Sequence, residues 1–144
     1  MRLYTLGYQS VALDEFLATL ADHGVRQIAD VREAPISRKK GFGKLQLRRA
    51  LEEAGIAYRH FPDLGTPKPL RDAWKGGSLT AQGFYREYGE HLDSLGPNPL
   101  EELLAFAREA PTALLCLEAK AEECHRLIVA QRLESGDGVE VEHL

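Results

Sequence analysis

The apolar positions of this chain fall into two alternating patterns. Short apolar runs at residues 2–6, 25–31, 56–61, 112–117 and 139–143 read as strands. Between them, Leu13, Phe16, Leu17 and Leu20 recur at helical spacing, which predicts a helix over 12–23 with Ser10 as its cap and Gly24 as its stop. Leu45, Leu47, Leu51 and Ala54 predict a second helix, closed by Gly55. Further helices are predicted over 84–92, 99–108 and 122–134, with Asn98 capping the one that starts at Pro99. Phe84, Tyr85 and Tyr88 stand at i, i+1 and i+4, mostly a core-facing pattern.

Strands alternating with helices imply parallel pairing through crossovers. The expected architecture is one α/β domain spanning 1–144, a three-layer sandwich of about five mostly parallel strands with helices on both faces. The pattern breaks over 62–83. Pro62, Pro67 and Pro69, with Gly65, Gly76 and Gly77, are read as forbidding a continuous element there. A loop of that length inside a compact domain carries function or mobility.

Composition narrows the class. Apolar residues make up 44% and charged residues 28%, an ordinary soluble balance, and no apolar run reaches the length of a membrane span. No signal-peptide pattern opens the chain, so a cytoplasmic location without membrane partners is expected. The net charge of −4 argues against broad nucleic-acid binding, yet it is unevenly spread: residues 1–75 sum to +4 and residues 76–144 to −8. Arg38, Lys39, Lys40, Lys44, Arg48 and Arg49 concentrate positive charge in the loop after the second strand and the helix that follows. Gly41-Phe-Gly43 follows no strand and lacks a third glycine, and no Gly-x-x-x-x-Gly-Lys loop exists, so no cofactor is assigned.

Ligands of open parallel sheets bind beyond the carboxyl ends of the strands. The residues there are Gly7 to Ser10 after strand one, Asp30, Arg32 and the basic loop after strand two, His60 to Gly65 after strand three, and Cys116 and Glu118 after strand four. Both cysteines lie within Cys116-Leu-Glu118-Ala-Lys-Ala-Glu-Glu-Cys124-His125-Arg126. Thiols at a strand-to-helix junction, beside a carboxylate, an imidazole and a guanidinium, suit nucleophilic and acid–base chemistry. The candidate catalytic residues are Cys116, Glu118, Cys124 and His125. The candidate substrate-binding residues are Gly7, Ser10, Asp30, Arg32, Arg38 and Arg126, with the arginines as anion holders. Zinc is set aside, because the Cys116, Cys124, His125 spacing matches no familiar ligand pair and adjacent residues on a helix point different ways. Trp74 in a glycine-rich stretch offers a base-stacking surface.

The same motifs resemble the family known as domain of unknown function 488. They are Thr5-Leu-Gly7-Tyr-Gln-Ser10, Asp30-Val-Arg32-Glu-Ala-Pro35-Ile-Ser37-Arg38, Tyr58-Arg-His60-Phe-Pro-Asp-Leu64-Gly65, and Cys116-Leu-Glu118 with Cys124-His125-Arg126. The resemblance covers nearly the whole chain and implies a small α/β fold with a shared site. The chain departs from the family pattern at Tyr8, where histidine is typical, and at Thr66, where glycine is frequent. No activity comes with the family.

The function expected from the residues is an enzyme acting on a phosphate-bearing substrate, a nucleotide or nucleic acid, at a cleft over the strand ends. Its partner is then an anionic small molecule or nucleic acid. Two other readings stand beside it: a non-catalytic nucleic-acid or protein binding module that uses the basic loop, and a thiol redox sensor that uses Cys116 and Cys124.

Overall fold

The computed structural model describes residues 1–118, 120–136 and 138–144. Among them, strands β1 (Arg2–Gly7), β2 (Gln27–Asp30), β3 (Ala57–His60), β4 (Thr112–Cys116) and β5 (Glu140–His143) form one sheet in the order β3-β2-β4-β1-β5. Every pairing is parallel. β4 lies at the centre and is buried along its whole length, as its unbroken apolar run requires.

Helices cover both faces. α1 (Leu13–Asp22) and α2 (Lys44–Glu53) bury Phe16, Leu20, Leu47 and Leu51 against Tyr4, Ile28, Ala113 and Leu115. On the opposite face, α4 (Ala81–Ser94), α5 (Asn98–Glu109) and α6 (Arg126–Glu134) bury Phe84, Tyr88, Leu103, Phe106 and Val129 against Leu3, Ala29 and Leu114. The architecture is therefore the three-layer α/β sandwich that the alternating patterns predict. No helix among the described residues is long and apolar enough to cross a membrane.

α1 and α2 stop as expected, at Gly24 and Gly55, which take φ of 66° and 76°. The starts differ. Ala12 is the N-cap of α1 and its side chain makes no capping bond, so Ser10 lies exposed outside the helix. Asn98 is the first residue of α5 rather than its cap, behind Pro97.

The larger difference is in 62–83. A 3-10 turn, Pro62–Leu64, is followed by α3 (Lys68–Lys75). Pro67 is the N-cap of α3 and Pro69 sits in its first turn, where a helix makes no use of the missing N–H. The prolines start this helix instead of forbidding it. Leu70 and Trp74 then pack onto the apolar face formed by α4.

The basic loop is also more ordered than its composition implies. Phe42 is fully buried, stacks on Tyr8 at 4.6 Å and meets Phe16 edge-on. Lys39 Nζ donates to the carbonyls of Tyr8 and Gln9, at 2.9 and 3.0 Å. One of the loop's cations is thus spent on holding it down, while Arg38 and Lys40 remain exposed.

Candidate active site

The strand order opens a crevice at the carboxyl edge of β4. The chain leaves β1 and β2 towards α1 and α2 on one face, and leaves β4 towards α6 on the other. Adjacent strands whose continuations diverge leave a gap beyond their ends. A cleft of about 730 Å³ lies there. Its walls include Tyr8 and Gln9 after β1, Arg32, Glu33 and Ile36 after β2, Thr66, Arg71 and Trp74 from the 62–83 segment, and Cys116, Leu117, Glu118 and His125.

Of the sequence-derived candidates, Arg32, Cys116, Glu118 and His125 line this cleft. Asp30, Cys124 and Arg126 are buried behind it. Gly7 lies within β1, opposite Cys116 in the ladder, and neither Ser10 nor Arg38 is among the lining residues.

The reactive cluster forms where β4 ends and α6 begins. A 3-10 turn, Ala121–Glu123, leads to Cys124, which is extended (φ −141°, ψ 147°), whereas His125 is helical (φ −61°, ψ −21°). The backbone switches conformation between these two neighbours, so both side chains turn to the same side. The expectation that they diverge presumed a helix running through them; α6 begins only at Arg126. His125 Nδ1 lies 3.7 Å from Cys116 Sγ and 3.6 Å from Cys124 Sγ. The three atoms all fall within 4.8 Å of one another.

The ring is oriented from behind. His125 Nε2–H donates to the Val31 carbonyl at 2.7 Å, which leaves the Nδ1 lone pair facing the sulfurs. Val31 is held in place because its own N–H donates to Leu115 O, continuing the β2–β4 ladder past its last pair. Tyr88 packs edge-on against the imidazole at 5.2 Å. Cys124 Sγ accepts the Arg126 backbone N–H at 3.5 Å, and Cys116 Sγ lies 3.5 Å from Glu118 Oε2.

Two thiols this close do not ionise independently. The hydrogen bond to Cys124, and then burial, hold the Cys116 thiol well above the usual range. Burial also works against ionising Cys124, but the hydrogen bond from Cys116 and the charge of His125 outweigh it and hold Cys124 well below that range. Burial opposes charge on His125 too, yet the Cys124 sulfur raises it. Burial, then the Cys124 charge, pushes the Glu118 carboxyl up. Of the two thiols Cys124 is therefore the easier to ionise, and a charge on its sulfur makes the His125 ring a stronger base.

Arg32 is committed elsewhere. Its Nε and Nη2 close on both oxygens of Asp30, at 2.9 and 2.7 Å, and its Nη1 donates to Phe42 O and Tyr8 OH. Tyr58 OH donates to Asp30 at 2.5 Å. This network ties the basic loop to β2 and shapes the cleft floor. Arg126 Nη1 donates to Glu118 O at 2.6 Å, which steadies the turn that presents the carboxylate.

Tyr8 reaches the cleft from the stretch after β1, and so do Arg71, Lys75 and Thr66, which the residue pattern does not single out as site residues. Arg71, Trp74 and Lys75 share one side of α3 at i, i+3 and i+4, a spacing masked by reading the segment as loop. Trp74 stacks on Phe84 at 3.8 Å, and Arg71 bonds Glu33 at 3.3 Å and Thr66 O at 3.0 Å.

Sequence comparison places the chain in a family. It belongs to the family described as Domain of unknown function DUF488, whose profile matches residues 12–133. No curated protein and no solved structure matches the chain.

Proposed function

We propose that this DUF488 member is an enzyme that takes a phosphate-bearing substrate, a nucleotide or a piece of nucleic acid, into the cleft and reacts it at the Cys116–Glu118–His125 wall. The observation that carries the reading is the convergence of a thiol, an imidazole nitrogen and a carboxylate on one wall of an accessible cleft. Three groups of complementary chemistry at hydrogen-bond range are what nucleophilic catalysis requires. Trp74 offers a flat surface for a base, and Arg71 and Lys75 flank it with positive charge. Arg32 and Arg126, expected from the residues to hold the anion, act in this reading as positioning groups.

In the reaction, His125 Nδ1 takes the thiol proton of Cys116. The sulfur forms a bond to the electrophilic centre, phosphorus in a phosphate ester, as the ester oxygen leaves. Glu118 gives that oxygen a proton. Water then attacks the sulfur-linked intermediate, loses a proton to Glu118 and releases the product. Cys116 recovers its proton from His125. Cys124, behind the wall, supports the charge.

The test is a panel of nucleotides and chromogenic phosphate esters against the wild type and Cys116→Ser, Glu118→Gln and His125→Asn. Turnover with a kcat loss of about 100-fold or more in each variant is expected. Full activity in both Cys116→Ser and Cys124→Ser ends the thiol mechanism. A second reading, the thiol redox sensor, is favoured by the closeness of the two sulfurs. Mild oxidation followed by mass spectrometry decides it, through the presence or absence of a Cys116–Cys124 bond.

A further inference from the structure

We infer that Cys116 Sγ, Cys124 Sγ and His125 Nδ1 form a binding site for a tetrahedral soft divalent cation, zinc, and that occupancy silences the thiol at the cleft wall. The site is the same cluster, so the regulatory half of the inference rests on the thiol mechanism above. The binding half does not.

Geometry is the first ground. A tetrahedral zinc ion with Zn–S of about 2.3 Å and Zn–N of about 2.0 Å requires its sulfur and nitrogen ligands to stand about 3.5 Å apart. The two S···Nδ1 distances are 3.7 and 3.6 Å, so the donors already span two edges of that tetrahedron. The third edge is within the 4.8 Å limit that encloses all three atoms.

Support around the donors is the second ground. A metal-binding imidazole gives its other N–H to a fixed acceptor, which sets the ring angle and leaves the ligating nitrogen bare. His125 does this through the Val31 carbonyl at 2.7 Å. The Arg126 amide on Cys124 Sγ supplies an N–H bond of the kind that stabilises a thiolate ligand. Two thiolates and one imidazole select zinc over the hard oxygen-seeking ions magnesium and calcium.

Access is the third. Cys116 and His125 face the cleft, so the fourth position of the tetrahedron opens there, beside Glu118. Binding replaces the two thiol protons, which pass to solvent. A sulfur that ligates the ion is no longer free to attack a substrate. Zinc-loaded and thiol-active forms are therefore exclusive states of one site.

The experiment uses the tag-free protein, stripped with chelator and titrated with zinc against a chromophoric indicator, with metal content read by mass spectrometry. One zinc per chain is expected, with at least a tenfold loss of affinity in Cys124→Ser. Cobalt in place of zinc should show a thiolate charge-transfer band and intense tetrahedral visible bands. Wild-type protein supplies the reading should the variant not fold: zinc must slow alkylation of both cysteines, and chelator must restore it. Substoichiometric zinc with alkylation unchanged overturns the inference. So does binding that persists unaltered in a folded Cys116→Ser/Cys124→Ser double variant. Absence of zinc with thiol-dependent turnover intact rejects the metal and keeps the enzyme. Zinc bound with no turnover in the stripped protein rejects the enzyme and keeps the metal site.

Discussion

Two buried polar clusters stand one strand apart at the same edge of the sheet. At the end of β2, Asp30 is fully buried and Arg32 is 5% exposed. At the end of β4, Cys116 and Cys124 are as deep, at 6% and 1%. The first cluster is closed. Both carboxylate oxygens of Asp30 are claimed, by the Arg32 side chain and backbone and by Tyr58. Such a pair holds the backbone and has little left to give a ligand. The second cluster is open. Both clusters send residues to the cleft, but the sulfur contacts of the second are long, between soft atoms. Depth alone does not separate structure from chemistry at this edge; how fully each polar atom is bonded does.

The sharpest way to break the comparison is Arg32→Met. It strands the Asp30 carboxylate in a buried site, and removing one partner of such a pair costs about 3–5 kcal/mol. Denaturant midpoints should show that loss, and a shift below about 1 kcal/mol would mean that water reaches Asp30.

Gly65→Ala comes next. An added Cβ overlaps the backbone of Glu33, so the loop after β2 must move away from the segment after β3. A cost of about 1–3 kcal/mol is expected, and crystal structures should show Glu33 and Arg71 displaced at the cleft wall.

Cys116→Ser should behave in the opposite way to Arg32→Met. Its stability cost should stay within about 1 kcal/mol, while thiol-dependent turnover is lost. A cost equal to that of Arg32→Met would make the second cluster structural as well.

The smallest effect belongs to Tyr58. Burial, then the charge of Asp30, holds its phenol well above the usual range. The unfolded phenol ionises near pH ~10 while the native one does not, so this stabilisation is complete below that pH and is lost as pH rises above it. Tyr58→Phe should flatten the decline in urea midpoint between about pH 9 and about pH 11. Equal slopes in the two proteins would show that Asp30 does not sense the phenol.

Much of this was legible in the residues. Leu13, Phe16, Leu17 and Leu20 announce α1, and the unbroken apolar run ending at Cys116 announces a central strand, because burial on one face or on both writes directly into spacing. The strand-end rule pointed to the edge where Arg32, Cys116 and Glu118 line the cleft, and the stretch from Cys116 to Arg126 supplied His125. Where local rules misled, a specific residue is responsible. Pro67 and Pro69 read as breakers and serve as a helix start. Phe42 read only as part of a basic loop and is core.

Local spacing thus accounts for the layers, the parallel sheet and the edge at which the site lies, since each follows from interactions within a few residues. The meeting of Cys116 with Cys124 and His125 is of another kind. It depends on one change of backbone conformation between Cys124 and His125, and on a carbonyl 94 positions away, at Val31, that turns the ring. Val31 reaches it because β2 lies directly beside β4, an adjacency of non-consecutive strands that no short-range pattern encodes. The same adjacency separates the saturated Asp30–Arg32 pair from the unsaturated sulfurs, since what each polar group finds to bond with is set by its neighbours across the sheet.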